Sequence, residues 1–353
     1  MSNRKIPFAP SALLKGASQG LNQARSRLSD RFSRFDDPLS RLVLAAYKDA
    51  LMPAVRLASA PLFGATAMIS LTYQCQCSCS HCGSRANQRQ GRPELSKDQI
   101  VDLIEQCSRA GTSNLYLFGG EPLLHPDLDD FIKTAKGLGM RVSLDTNGLL
   151  LEKDRVKSLA ALGVDHVRVS IDNARPRIHD AFRGVDGLHA RAVQGIKWCL
   201  ENGIRCDASA VATKKNLQNG DLQAILDLAD GLGARVRMLT SIMCGGWEGK
   251  MRVVLSYEEI AQMRKLLKPG RVYWESDWIN RPGEPFSCAA LDRLMFHVTA
   301  FGDVQPCCYM EEVFGNVTNE PLFGIVARMW QSNLVQCYRK YHDCPVNRPF
   351  QPN

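Results

Sequence analysis

From Ala67 onward the chain alternates between short apolar runs and longer stretches in which apolar residues recur at helical spacing. The short runs predict strands at Ala67–Thr72, Asn114–Phe118, Arg141–Asp145, His166–Ile171, Ile204–Ala212 and Ala234–Thr240. The longer stretches predict helices between them. Ser96 opens the first, with Gln99 three residues on as a capping box and Ile100, Leu103, Ile104 and Cys107 as one apolar stripe. Others follow at Pro126–Lys136, Glu152–Leu162, Leu188–Glu201 (closed by Gly203), Asp221–Leu232 and Ser256–Leu267, where Ser256 and Glu259 repeat the capping box. Six strand–helix units in a row imply an α/β fold built on a parallel sheet with right-handed crossovers. Such a sheet either closes partly into a barrel or lies open and doubly wound.

The flanks read differently. Residues 1–62 predict a helical arm, with Leu39, Leu42, Val43, Ala46 and Tyr47 at helical spacing and Pro53 and Pro61 closing it. The central unit covers 63–268. Past Pro269-Gly270 and the Pro282–Pro285 stretch, residues 269–353 predict short strands, turns and cysteines, a small metal-stapled module.

Composition and charge alter this picture little. The 353 residues carry a net charge of +8, much of it on the arm, where a solvated face is preferred over contact with an acidic partner or membrane surface. No run reaches ~18 apolar residues and Met1–Pro10 has no secretory pattern, so a cytoplasmic protein without a transmembrane segment or nucleic-acid partner is expected. Cysteine changes the picture more. There are 13, an odd number, gathered mainly at 75–82 and 288–344. In a reducing compartment that favours metal ligation over disulfides. Cys107, Cys199 and Cys206 fall on helix stripes or in a strand and read as core.

In parallel sheets chemistry gathers where the strands' carboxyl ends meet the following loops. There the unusual residues recur: Cys75-Gln-Cys77-Ser-Cys79-Ser-His81-Cys82 after the first strand, Gly119-Gly120-Glu121-Pro122 after the second, Asp145-Thr-Asn147-Gly after the third. Ser170-Ile-Asp172 ends the fourth, Asn216 follows the fifth and Cys244-Gly-Gly the sixth. Each polar residue alone is ordinary turn chemistry. Together with the cysteine spacing they are not.

Cys75-x3-Cys79-x2-Cys82, with Gly-Gly-Glu-Pro at the next strand end, resembles the radical S-adenosylmethionine (radical SAM) enzymes. The resemblance implies a partial (β/α)6 TIM-type barrel over roughly 66–240. It implies that Cys75, Cys79 and Cys82 hold a [4Fe–4S] cluster whose fourth iron is left open for SAM. It also implies that Gly119, Gly120, Glu121 and Pro122 meet the SAM amino group, with Glu121 as ammonium acceptor. Ser170 and Asp172 would meet the ribose, Asn147 and Asn216 would add polar contacts, and Arg183 would pair with the carboxylate. His81 stands where the family often has a larger aromatic residue. Cys77 is a surplus thiol, read as a neighbour pointing away from the cluster.

Cys288-x13-Gly302-x4-Cys307, then Gly315-Asn-Val and later cysteines, looks like the family's SPASM/twitch extension, which binds auxiliary iron–sulfur clusters. The module's five cysteines suit one auxiliary cluster on Cys288, Cys307, Cys337 and Cys344, with Cys308 as a substitute for Cys337. A zinc site on the same thiols is the alternative. The implied activity is reductive cleavage of SAM, by electrons from a donor such as flavodoxin or ferredoxin. The 5′-deoxyadenosyl radical so formed takes a hydrogen atom from a peptide or small natural-product substrate, giving oxidation or cross-linking. Cys244 offers a second outcome, returning a hydrogen atom in an epimerase or reductase. An iron–sulfur electron carrier or metal-stabilised binding module is the non-enzymatic alternative.

Overall fold

The structure is a computed structural model and describes residues 64–84, 87, 91–274, 288–333, 335 and 344–347. The expected N-terminal arm and Cys337 lie outside the described residues. Six parallel strands form where the apolar runs predict them: β1 Thr66–Thr72, β2 Asn114–Gly119, β3 Arg141–Thr146, β4 His166–Ser170, β5 Arg205–Ala212 and β6 Arg235–Thr240. Three shorter ones extend the sheet. Strand β7 (Val272–Trp274) pairs parallel to β6, β8 (Met295–Val298) parallel to β1, and β9 (Val304–Gln305) antiparallel to β8. The order β7-β6-β5-β4-β3-β2-β1-β8-β9 is linear, so the barrel is partial and open. Strands of two to four residues carry no period long enough to read from sequence.

Alternation within the strands builds two faces. Ala67, Ile69 and Leu71 of β1, Leu115 and Leu117 of β2 and Val167 and Val169 of β4 are buried in the main apolar cluster. So are Ile100, Leu103, Ile104 and Cys107 of helix α1 (Lys97–Arg109), which α2 (Leu128–Gly137) and α3 (Lys153–Ala161) follow in the chain. Both expected capping boxes form, at Ser96/Gln99 and Ser256/Glu259. The same cluster continues into the C-terminal part through Phe296, Val298, Leu322, Ile325 and Met329. That part is therefore packed onto the barrel rather than tethered beside it.

The opposite face is polar. Arg168 of β4 pairs with Asp145 of β3 (3.1 Å) and reaches Tyr116 Oη of β2 (2.7 Å). Arg237 of β6 bonds Asp145 at 2.7 Å although two strands lie between them. Three strand steps of roughly 4.8 Å each would hold such groups apart on a flat sheet. The sheet curls, and these side chains line its concave side. Among the described residues no helix is long and apolar enough to cross a membrane.

Candidate active site

The loop after β1 is fixed at its base. Tyr73 N donates to Glu94 Oε1 (2.6 Å), Gly120 N to the Thr72 carbonyl (2.7 Å) and Glu121 N to the Gln74 carbonyl (2.9 Å). A Cβ on Gly119 or Gly120 would stand 2.3 Å from the Thr72 or Gln74 oxygen, so only glycine permits this approach. The loop's middle is held by helix α4 (Pro176–Arg183), whose Phe182 and Arg183 carbonyls accept from Ser80 N (3.3 Å) and Ser78 N (2.9 Å). Its far end is held by the turn after β6, where Gly246 N donates to the Cys82 carbonyl (3.0 Å). His81 lies between these two clamps, stacked on Phe182 at 4.7 Å and tilted against Trp247 at 5.4 Å.

The thiols on this loop are unequal. Cys77 hydrogen-bonds both Cys75 and Cys79; it therefore points among them, correcting the expectation that it points away. The bond from Cys77 lowers Cys75 to about 6 against the opposing effect of burial, with the Cys77 backbone N–H (3.4 Å), Asn147 Nδ2 (3.8 Å) and the Arg183 charge helping. Cys79 is lowered by the same Cys77 bond, opposed by burial and aided by Arg183. Cys77 is correspondingly raised. The site thus favours thiolate at two of the three sulfurs expected to meet iron, which suits a cluster ligated by cysteine. Among the described residues no three His, Cys, Asp or Glu side chains close to the spacing that grips a single ion. A four-iron cluster does not ask for that spacing, since its cysteines sit on different irons.

Several expected SAM-contacting groups have local tasks. Glu121 is fully buried and accepts from Thr146 Oγ1 (2.7 Å), Asn147 N (2.8 Å) and Leu123 N (3.2 Å). Burial pushes it up to about 7 against those bonds. Its carboxyl group knots the ends of β2 and β3. Asn216 is likewise committed: Oδ1 accepts from Thr213 N (2.7 Å) and Nδ2 donates to the Val211 carbonyl (2.8 Å). Arg183 Nε donates to Asp172 Oδ2 at 2.6 Å with both side chains under a tenth exposed. Burial alone would raise Asp172, but Arg183 outweighs it and the carboxyl group is held low. Pro122 starts a short turn at Pro122–Leu124 and Ser170 ends β4 opposite Ser209. Asn147 keeps its place against Cys75.

A second group of thiols forms behind the far clamp. Cys244 senses Cys82, and Cys307 senses both Cys288 and Cys244; burial foremost pushes Cys244 and Cys307 up to about 12. Cys308, next to Cys307 in the chain, acts on Tyr73. Cys344 precedes a turn whose Asn347 Oδ1 accepts from Met243 N (2.9 Å), one residue before Cys244. Spacing alone did not show that Cys244 joins the two groups. The Gly315-Asn-Val motif is explained by a hairpin: Asn316 Nδ2 donates to Asp303 Oδ1 (2.8 Å) and the Phe301 carbonyl (2.9 Å).

Comparison with known proteins agrees with this geometry. Residues 69–229 match the family model described as the radical SAM superfamily, and 288–348 match the SPASM iron–sulfur cluster-binding domain. The chain is 27% identical over 288 residues to a PqqA peptide cyclase of Rhizobium meliloti, covering 77% of this chain and 75% of the relative. It is 34% identical over 164 residues to an AdoMet-dependent heme synthase of Methanosarcina barkeri, 46% of each chain. In fold it is similar to Streptococcus suis SuiB bound to S-adenosylmethionine, with a TM-score of 0.65 at 17% identity, covering 84% of this chain and 78% of that one.

Proposed function

We propose that this chain, a radical SAM enzyme with a C-terminal SPASM module, oxidises or cross-links a peptide. The observation that carries the chemistry is the clamped loop on which Cys75, Cys79 and Cys82 stand with two sulfurs biased toward thiolate. Similarity to a peptide cyclase across three quarters of both chains supports the substrate class.

Enzymes of this family work with SAM and a [4Fe–4S] cluster, which together supply a radical able to take hydrogen from an unactivated C–H bond. In this reading Cys75, Cys79 and Cys82 would hold the cluster, and Asn147 Nδ2 steadies the Cys75 sulfur. The Arg183–Asp172 pair sets a fixed positive charge beside the thiols without leaving a lone buried cation. Gly119, Gly120 and Pro122 shape the wall that SAM meets, and Asn147, Ser170 and Asp172 face it from β3 and β4. Cys288, Cys307 and Cys344 would hold an auxiliary cluster, with Cys337 or Cys244 completing the set. A flavodoxin or ferredoxin is the proposed electron donor.

A second reading rests on Cys244, whose thiol stays protonated beside Cys82 and so retains a hydrogen atom to give. In that case Cys244→Ala abolishes epimerised or reduced product while SAM cleavage persists.

The test of substrate class is anaerobic SAM cleavage by the reconstituted protein with reductant, alone or with a short-peptide library or an iron porphyrin. Stimulation of 5′-deoxyadenosine by peptides only supports the proposal; stimulation by the porphyrin only overturns it.

A further inference from the structure

The loop carries one thiol more than SAM chemistry needs, and the structure sets it among the other three. The Cys77 thiol lies within hydrogen-bonding reach of the Cys75 and Cys79 sulfurs, and its backbone N–H is 3.4 Å from Cys75 Sγ. It cannot wander from there. Gln74 is bonded through its carbonyl to Glu121 N, and Ser78 through its N–H to the Arg183 carbonyl, so the three-residue span Cys75-Gln76-Cys77 hangs between fixed points. Gly184 closes in on the far side, where a Cβ would stand 2.1 Å from Ser78 Oγ. A donor tethered this closely acts at an effective concentration of about millimolar or above. Thiolate is a soft donor of the kind that suits the iron of such a cluster.

Building on the reading of Cys75, Cys79 and Cys82 as cluster ligands, we propose that Cys77 is a displaceable fourth ligand, binding the open iron until SAM arrives. On binding iron the Cys77 thiol gives its proton to solvent. When the amino and carboxylate groups of SAM replace it, the freed thiolate takes a proton back, and no electron moves in either step. Cys77 would then shield the cluster while SAM is absent and weaken apparent SAM affinity by the cost of displacing it. Asn147 and Arg183 do not compete for this role, since Asn147 Oδ1 already accepts from Leu149 N (2.8 Å) and a guanidinium carries no donor lone pair for iron.

The test compares reconstituted, anaerobic wild type with Cys77→Ala and Cys77→Ser. Expected are iron contents equal to wild type and apparent SAM binding about tenfold tighter in both variants, equivalent to about 1.4 kcal/mol. The EPR spectrum of the reduced, SAM-free cluster should also change in both, becoming the same as wild type once SAM is saturating. Unchanged SAM affinity and SAM-free spectra overturn the proposal. So does loss of about four irons in the variants, which would make Cys77 a permanent ligand. A Cys75/Cys79/Cys82 triple alanine variant separates the two claims. If it keeps all its iron, the underlying ligand reading fails. If it loses about four irons while Cys77→Ala matches wild type, only the fourth-ligand proposal fails.

Discussion

The two thiol groups of this molecule are built in opposite ways. Cys75, Cys79 and Cys82 come from a single loop of eight residues, pinned by the β2 loop, the end of α4 and the turn after β6. The second group draws Cys244, Cys288 and Cys307 from three distant segments, with Cys344 brought near by Asn347. The first group needs little more than local chain geometry and three backbone clamps. The second exists only once the C-terminal part has packed on the barrel. The difference predicts that the loop tolerates loss of the second group, and that damage to the clamps is felt at the loop first.

The largest effect expected from breaking this contrast is on iron. Cys288→Ala with Cys307→Ala should remove about four irons and product formation, yet leave the SAM-dependent EPR change and basal SAM cleavage in place. Loss of both would show that the groups depend on each other. Next is the clamp of α4. Arg183→Met leaves Asp172 buried without its cation and should cost about 3–5 kcal/mol by urea denaturation. Adding Asp172→Asn should restore part of it. Gly120→Ala places a methyl group 2.3 Å from the Gln74 oxygen and should cost about 1–3 kcal/mol, lowering iron occupancy of the loop. Gly139→Ala, with nothing within 4 Å but with a positive φ, should cost less and leave iron unchanged.

The smallest effect concerns pH. Glu121 is raised from 4.5 to about 7 in the fold, chiefly by burial. A group raised on folding gives stability that is complete below its unfolded pKa and is lost as pH climbs through the folded one. Stability should therefore decline between about 4.5 and about 7 through this residue, and Glu121→Gln should flatten that decline in urea midpoints. An unchanged slope would contradict the assignment.

The sequence disclosed what is local. Strand ends, both capping boxes and the Cys75-x3-Cys79-x2-Cys82 spacing are set within a few residues, so they could be read. What required long-range folding could not. Helix α4 escaped because its buried residues are His179 and Arg183, a polar stripe that breaks the apolar period. The bonds that Glu121 accepts from Thr146 and Asn147 could not be read either, because those partners sit on the next strand end. The orientation of Cys77 and the bond from Arg237 to Asp145 across two strands depend on loop clamps and sheet curvature, which no spacing encodes.

The most direct test of the central claim is anaerobic SAM cleavage by reduced, reconstituted protein, comparing wild type with the Cys75/Cys79/Cys82 triple alanine variant. The account predicts 5′-deoxyadenosine and methionine from wild type and neither from the variant, whose remaining iron belongs to the C-terminal cysteines. Equal SAM cleavage by both would contradict it.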